Sequence, residues 1–463
     1  MTSSTACAWR VAVVGSGPAA FYTAEALMKS GQEVRVDLFE RLPVPFGLVR
    51  GGVAPDHQKI KGVVKVYEKI AAFPCFRFFG NVRIGSDLTI DDLAAHYHQI
   101  CYAFGCESDQ KLGIPGEELA GVSAATDFVG WYNGHPDHRA HHFDLSQTRR
   151  VAIVGNGNVA MDVARVLLAP PDVLATTDIA EHAMPVLRAS AVREVVLLGR
   201  RGPAQAAFSP TELEEIAHLP GLDVVVRPEE AELDPLSAAW LAKDGSRSQE
   251  RNVRNLQEHA AKGLGSNPRK LRCRFLVAPV ELRGTDDQLR SVRLQHMRLV
   301  AGDDGTPRPQ PRDSFEDLDV DLVFKAIGYR GVPVPGVPFE VKKGIVPNVD
   351  GRVVEQPGAA VRTGHYCAGW CKRGPTGLIG TNSLCAKATV ESMRTDHADG
   401  RQLAPTHGDI THLLQQRGID AVTWADWQRL DAYERQQGEA VGKVRQKVTD
   451  AAEMVRVLRS LRG

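Results

Sequence analysis

The 463-residue chain contains no uninterrupted apolar run approaching the roughly 20 residues that cross a bilayer. Its opening stretch, MTSSTACAWR, carries no apolar segment of the signal-peptide kind and runs almost at once into a strand-like sequence. Both absences lead to the expectation of a cytoplasmic protein, or of a processed organellar one. An excess of charge is missing too: 56 Lys and Arg balance 56 Asp and Glu. General binding to nucleic acid or to a membrane surface is therefore disfavoured, and a charged partner has to be met by a local patch. The eight cysteines include no CxxC pair, so no zinc or iron–sulfur site is expected and no metal is assigned. Cys101 and Cys106 do have the CxxxxC spacing of some redox disulfides. The sequence ICYAFGC reads as a strand and a turn, however, and five residues of strand span about 16 Å. Disulfide Cα atoms lie roughly 4.4–6.8 Å apart, so an extended pair cannot bridge. All eight cysteines, Cys7 included, are expected to be structural or free thiols in a reducing compartment.

What is present is a doubled pattern. In RVAVVGSGPAAFYTAEALMKSGQEVRVDLFE, a buried strand (Val11 to Val14) meets Gly15-Ser16-Gly17. A helix follows with Ala20, Ala24 and Leu27 on one face, and a second strand, Val34 to Phe39, ends on Glu40. The order recurs in VAIVGNGNVAMDVARVLL, where Gly155 and Gly157 repeat the spacing and Ala160 takes the third small position. After an insertion from Ala169 to Val192, the strand Val195 to Leu198 ends on Gly199-Arg200-Arg201. A third strand is expected from Asp321 to Tyr329, followed by a Pro/Gly-rich return linker near residue 332. A Gly-rich loop then opens a helix near Thr381, and the charged tail beyond Asp409 reads as solvated packing helix. The fold class implied is α/β, with two Rossmann-like dinucleotide-binding units.

Glycines at a helix start let backbone N–H groups and the positive helix end approach a pyrophosphate. Gly15 and Gly17 do so in the first unit, with Pro18 and Ala19 opening the helix; Pro is tolerated there because its missing N–H costs little. Glu40 stands where a carboxylate accepts from both ribose hydroxyls, the pattern for an unphosphorylated adenosine ribose as in FAD or NAD. The second unit has Arg200 and Arg201 instead. A carboxylate there would repel a 2′-phosphate, whereas two guanidinium groups offer it charge-assisted bonds. The second nucleotide is thus expected to be NADP(H), leaving FAD for the first. The helix near Thr381 reads equally as an ordinary capped helix or as one whose N-terminus favours negative charge on the flavin.

The blocks PVPFGLVRGGVAPDH, FRFFGNV, DFVGWYNGHP, GNGNVAMDVAR, GRRGPAQAAF and AGWCKRGPTGLIGTN resemble the adrenodoxin reductase family, whose bacterial members are NADPH–ferredoxin reductases. The resemblance runs from about residue 10 to 395, with a weaker echo in TWADWQRLDAYER. It implies an NADP domain (109–331) inserted into a discontinuous FAD domain (1–108 and 332–463). It also implies that His57 and Glu215 form a pair near the nicotinamide, with Glu212 beside the NADP. Leu48, Val82, Trp370, Gly377, Leu378 and Ile379 are implied at the FAD, Trp370 covering the ring and Gly377 shared with the NADP. Gly155, Asn156, Gly157, Asn158 and Val159 would meet the NADP pyrophosphate and ribose. The sequence departs from the family's usual Leu at Met161 and at Ala204. For a partner, the resemblance implies an acidic ferredoxin on the basic run from Lys243 to Arg274, near Lys243, Arg247, Arg251 and Arg254.

The activity so implied is hydride transfer from NADPH to FAD, followed by single electrons to a ferredoxin. A flavin diaphorase or quinone reductase, and a nucleotide-sensing scaffold without turnover, remain as alternatives. A flavin monooxygenase is disfavoured because FxGxxxHxxxF/Y is absent.

Overall fold

The computed structural model describes residues 9–462, so Cys7 lies outside the described residues. Adjacent residues of the first strand, Trp9–Val14, feed different cores: Val11 and Val13 pack on one side of the sheet, Ala12 and Val14 on the other. The strand Arg150–Val154 repeats this, with Val151 and Ile153 opposed to Ala152 and Val154. Strands covered on both faces are the signature of parallel sheets sandwiched between helices. That is why both read as unbroken apolar runs rather than alternating ones.

Each strand organises its own sheet. Trp9–Val14 lies between the parallel neighbours Val34–Phe39 and Gln99–Tyr102, with Phe76–Phe79 at one edge. The other half of this seven-stranded sheet comes from far along the chain, Val361–Cys367 pairing parallel with Gln99–Tyr102. The six-stranded second sheet uses only strands between Val122 and Lys325. It is therefore inserted into the first. The outgoing and returning chain lie side by side where they cross, Ser108–Asp109 pairing antiparallel with Tyr329–Arg330.

Two sequence expectations change, and one element was not foreseen. The strand expected from Asp321 to Tyr329 is two, Leu322–Lys325 and Tyr329–Arg330, because Gly328 at φ 111° turns the chain between them. A three-stranded antiparallel sheet, Val277–Thr285, Gln288–Ala301 and Pro307–Asp319, rises as an excursion that no motif announces. The tail, expected to be solvated, is built into the structure. Trp427 and Leu430 of the helix Trp424–Ala440, and Met454 and Leu458 of the helix Ala451–Arg462, join the core of the first sheet.

The tail's charges are buried with it. Glu434 has no exposed side-chain surface and accepts from both Arg50 and Arg445, at 2.5 and 2.9 Å. Asp178, from the insertion between the strands of the second sheet, receives Lys61 at 2.7 Å and Lys447 at 3.1 Å. One carboxylate thus joins the first unit, the second unit and the tail. Burial would raise the Asp178 carboxyl, but the two ammonium groups outweigh it and hold it below the usual carboxylate range. No described helix is long and apolar enough to cross a membrane.

Asp178→Asn leaves two buried ammonium groups short of a counter-charge, and we expect a loss of about 3–5 kcal/mol in stability, read from urea unfolding. The wild-type advantage should be full above about pH 4, the unfolded carboxylate's range. It should shrink as pH falls through the depressed range of the folded group. An unchanged midpoint at neutral pH would show that this junction carries no stability.

Candidate functional site

The two glycine-rich turns open on one shared cavity of about 2010 Å³ between the sheets. Their glycines divide the work. Gly15 and Gly155 have φ of 109° and 125°, and a Cβ on either would sit 2.5 or 2.3 Å from a backbone carbonyl oxygen across the turn. Gly17 and Gly157, by contrast, face open space with nothing within 4 Å of such a Cβ. The first glycine of each pair makes the turn and the second leaves room for a ligand against the backbone. The helices Pro18–Met28 and Asn158–Leu168 start there, presenting free N–H groups to the cavity. An elongated phosphate-bearing ligand fits each cradle.

The strand ends differ as the sequence reading requires. Glu40 accepts from the Ser16 hydroxyl at 2.6 Å and the Leu42 amide at 3.0 Å, and burial raises its carboxyl above the usual range. Arg200 and Arg201 are exposed and make no ion pair among the described residues. Desolvation, then repulsion from Arg200 and Arg308, lowers the Arg201 guanidinium below its usual range. Clustered cations without a counter-charge beside a cavity make an anion site. The turn is also tied to the loop after the arginines. The Asn156 carbonyl accepts from the Ala207 and Phe208 amides at 3.1 and 2.9 Å, and Asn158 Oδ1 accepts from the Ser209 amide at 2.8 Å.

Between the two cradles lies a charged network. His57 Nε2 is 2.9 Å from a Glu215 carboxylate oxygen and 3.7 Å from Glu212. Arg165, nearly fully buried, ion-pairs at 2.7 Å with Asp56, Asp162 and Glu212 alike. Its Nη2 also lies 3.3 Å from His57 Nδ1. A guanidinium only donates, so Nδ1 accepts and the imidazole proton sits on Nε2, donated to Glu215. Burial pushes Asp162 up to about 6 despite Arg165. Asp56, Asp162 and Arg165 were not singled out in the sequence. Their signal was there: Asp162 and Arg165 are charged residues three apart on a helix whose surroundings are apolar.

Every site residue expected from the sequence lines this one cavity: Gly15, Gly17, Pro18, Ala19, Glu40, Leu48, His57 and Val82 from the first part of the chain, Gly155 to Val159, Arg200, Arg201, Glu212 and Glu215 from the middle, and Trp370 with Gly377 to Ile379 beyond the return.

The chain is 44% identical over 459 residues to the NADPH-ferredoxin reductase FprA of Mycobacterium tuberculosis, covering 96% of this chain and 98% of that one. It is 40% identical to the mitochondrial NADPH:adrenodoxin oxidoreductase of Salvelinus fontinalis, covering 99% and 93%. The solved structure of M. tuberculosis FprA in complex with NADPH superposes with a TM-score of 0.91 at 42% identity, covering 98% of this chain and all of that one. The chain belongs to the adrenodoxin reductase family. Residues 9–198 also match the family model described as pyridine nucleotide-disulphide oxidoreductase.

Within that family the departures at Met161 and Ala204 fall in packing, both residues being fully buried among apolar neighbours. Among the described residues no disulfide accompanies the broader family match. Cys101 and Cys106 are buried and free, with burial pushing both thiols up, Cys106 to about 12. Trp370 is half-buried rather than a core residue; its indole N–H donates to the Thr376 carbonyl at 3.1 Å, and its ring leans on Tyr329. The basic run is thinner than its sequence suggests. Arg251 pairs with Glu214 and Arg272 with Glu194, Lys270 is taken by Asp223, and Arg274 is buried against Glu230 and Glu316. Arg269 donates to the carbonyls of Leu168 and Pro220. Lys243, Arg247, Arg254 and Lys262 stay exposed.

Replacing both Arg200 and Arg201 by Ala should raise KM for NADPH roughly 30-fold, the equivalent of about 2 kcal/mol of charge-assisted bonding, with little change for NADH. Steady-state kinetics with both nucleotides check this, and an equal loss with the two would place the 2′-phosphate elsewhere.

Proposed function

We propose that the protein is an FAD-dependent NADPH–ferredoxin oxidoreductase in which the residues lining the shared cavity carry out binding and positioning. The observation that carries this reading is the contrast inside that cavity: one glycine cradle ends on the buried acid Glu40, the other on the unpaired Arg200 and Arg201. An acid suits a free ribose and repels a 2′-phosphate; the arginines do the reverse. FAD is accordingly assigned to 1–108 with 332–463, and NADP(H) to 109–331. The paired segments Ser108–Asp109 and Tyr329–Arg330 support those boundaries.

When bound, the flavin supplies the capacity to take a hydride from a nicotinamide and to release electrons singly. The protein's own part is geometric and electrostatic. Gly17 and Gly157 admit the pyrophosphates to the helix ends, and Glu40 accepts from ribose hydroxyls. Arg200 and Arg201 hold the 2′-phosphate, and Asn156 and Asn158 fix the loop that leads into the helix of Glu212. His57 keeps its proton at Nε2 against Glu215, and Arg165 keeps it there by occupying Nδ1. Trp370, fixed by Thr376, shields the cavity from water. No side chain in the network is required to form a covalent intermediate. Lys243, Arg247 and Arg254 are the docking positions we favour for an acidic ferredoxin, Arg247 and Arg254 sharing one helix face. Arg251 is already neutralised by Glu214 and contributes less. The free, strongly buried thiols support a reducing, cytoplasmic setting.

The protein should be yellow as purified, bleach anaerobically on addition of NADPH and reduce a ferredoxin faster than a quinone in stopped flow. Arg247→Glu with Arg254→Glu should cut kcat/KM for ferredoxin by about tenfold at low salt, less at high salt, and spare ferricyanide reduction. Faster quinone than ferredoxin reduction would turn the assignment to a diaphorase.

A further inference from the structure

Outside the shared cavity, the helix Ala125–Asn133 and the loop after it bring together three metal-capable side chains: Asp127, His138 and His141. One oxygen of Asp127 faces both imidazoles, 3.4 Å from His138 Nδ1 and 3.6 Å from His141 Nε2. The three ligand atoms lie within 4.8 Å of one another. Solvent does not reach His138 Nδ1, and apart from the long 3.4 Å contact with Asp127 it has no hydrogen-bond partner. A buried polar atom left in that condition is costly. Both separations are too long for a good N–H···O bond, which prefers about 2.9–3.0 Å. They suit a shared ion. Zinc bonds of about 2.0–2.1 Å at the tetrahedral angle put ligand atoms about 3.3–3.4 Å apart.

The helix itself is shaped for this arrangement. Gly130 stands in its interior, where a glycine costs about 1 kcal/mol of helix propensity. It lies on the same face as Asp127, one turn on. A Cβ there would sit 2.3 Å from His138 Cδ2. The missing side chain is what allows the His138 ring to lie against the helix with Nδ1 beside the carboxylate. The His138 and His141 rings then stack, with centroids 5.5 Å apart and planes 22° apart. Asp127 and His141 keep 32% and 39% of their side-chain surface exposed, so an ion can enter and water can complete its shell.

We propose that Asp127, His138 and His141 form a divalent transition-metal site, open to water, that clips the helix Ala125–Asn133 to the loop following it. Two imidazoles with one carboxylate and no thiolate select zinc and its neighbours over calcium, magnesium or copper(I). Ala125 and Thr126, at the start of the same helix, line the dinucleotide cavity. The clip therefore braces one cavity wall from behind, without touching what binds inside it.

The test uses untagged, FAD-loaded protein treated with chelator and desalted. Equilibrium dialysis against zinc chloride, with metal counted by mass spectrometry, should find one equivalent per chain bound at micromolar zinc. Cobalt(II) should give visible d–d absorption beyond the flavin bands. Asp127→Asn and His141→Ala should each lose that equivalent and the cobalt bands while keeping metal-free ferricyanide reduction. Gly130→Ala, which displaces His138, should weaken zinc at least about tenfold. The exposed neighbour His142→Ala should change nothing. No binding below about 100 μM zinc, retention of the equivalent in Asp127→Asn or His141→Ala, or an equal loss in His142→Ala would overturn the assignment.

Discussion

The guanidinium of Arg165 is the constraint around which the site is arranged. A cation this deeply buried persists only if opposite charge surrounds it, and three carboxylates do so here. Burial alone would weaken its hold on the proton, and Asp162, Asp56 and Glu212 reverse that. Those acids come from three places: the loop before His57, the helix after the second glycine turn, and the helix after the two arginines. The pair His57–Glu215 is therefore a consequence. Its histidine is adjacent in sequence to one partner of Arg165, and its glutamate lies one helical turn beyond another.

The same logic holds the halves of the molecule together at a distance from the cavity. Two units that meet across a large cavity form the kind of inter-domain junction that ordinarily permits relative motion. Asp178 counters this by binding Lys61 and Lys447 at once, and Glu434 by binding Arg50 and Arg445. Arg50 lies on the stretch that lines the cavity, and Lys447 donates to the Asn133 carbonyl at the end of the helix that carries Asp127. The tail thus acts as a strap across both units. Its fixed charges set where the cavity walls can stand.

How far the sequence could be read follows from the physics of each element. The strands from Val11 and Val151 were legible because sheets covered on both faces require unbroken apolar runs. Glu40, Arg200 and Arg201 were legible as cavity-lining residues because each follows directly on a strand that ends at the cavity. The antiparallel excursion was not, since strands such as Pro307–Asp319 expose most of their residues and carry charge and proline instead of apolar alternation. The tail misled for a related reason: a charged residue reads as solvated unless its partner is known, and Glu434 meets Arg50, and Lys447 meets Asp178, from far along the chain. The basic run from Lys243 to Arg274 misled in the opposite direction. Its acids, among them Glu214, Asp223 and Glu230, sit outside the run and reach it only through folding.

Pairing therefore decides what a charge means, and the two strand ends show it most plainly. Glu40 is buried and satisfied within its own turn by Ser16 and Leu42, so it is rigid and its remaining acceptor capacity is aimed. Arg201 is repelled by Arg200 and Arg308, and neither Arg200 nor Arg201 has an ion pair among the described residues, so the free protein stores repulsion that an anion relieves. Selectivity between the two nucleotides then needs no contact with the nicotinamide or the flavin ring. A 2′-phosphate brought to Glu40 would meet a buried acid whose neighbouring cation, Arg41, is already paired with Glu107 and Asp137. A ribose without the phosphate, brought to Arg200 and Arg201, leaves their repulsion in place. On the proposed assignment, each cradle would reject the other's ligand by what it leaves unpaired. Two similar folds can in this way share one cavity and still receive their nucleotides in a fixed order across it.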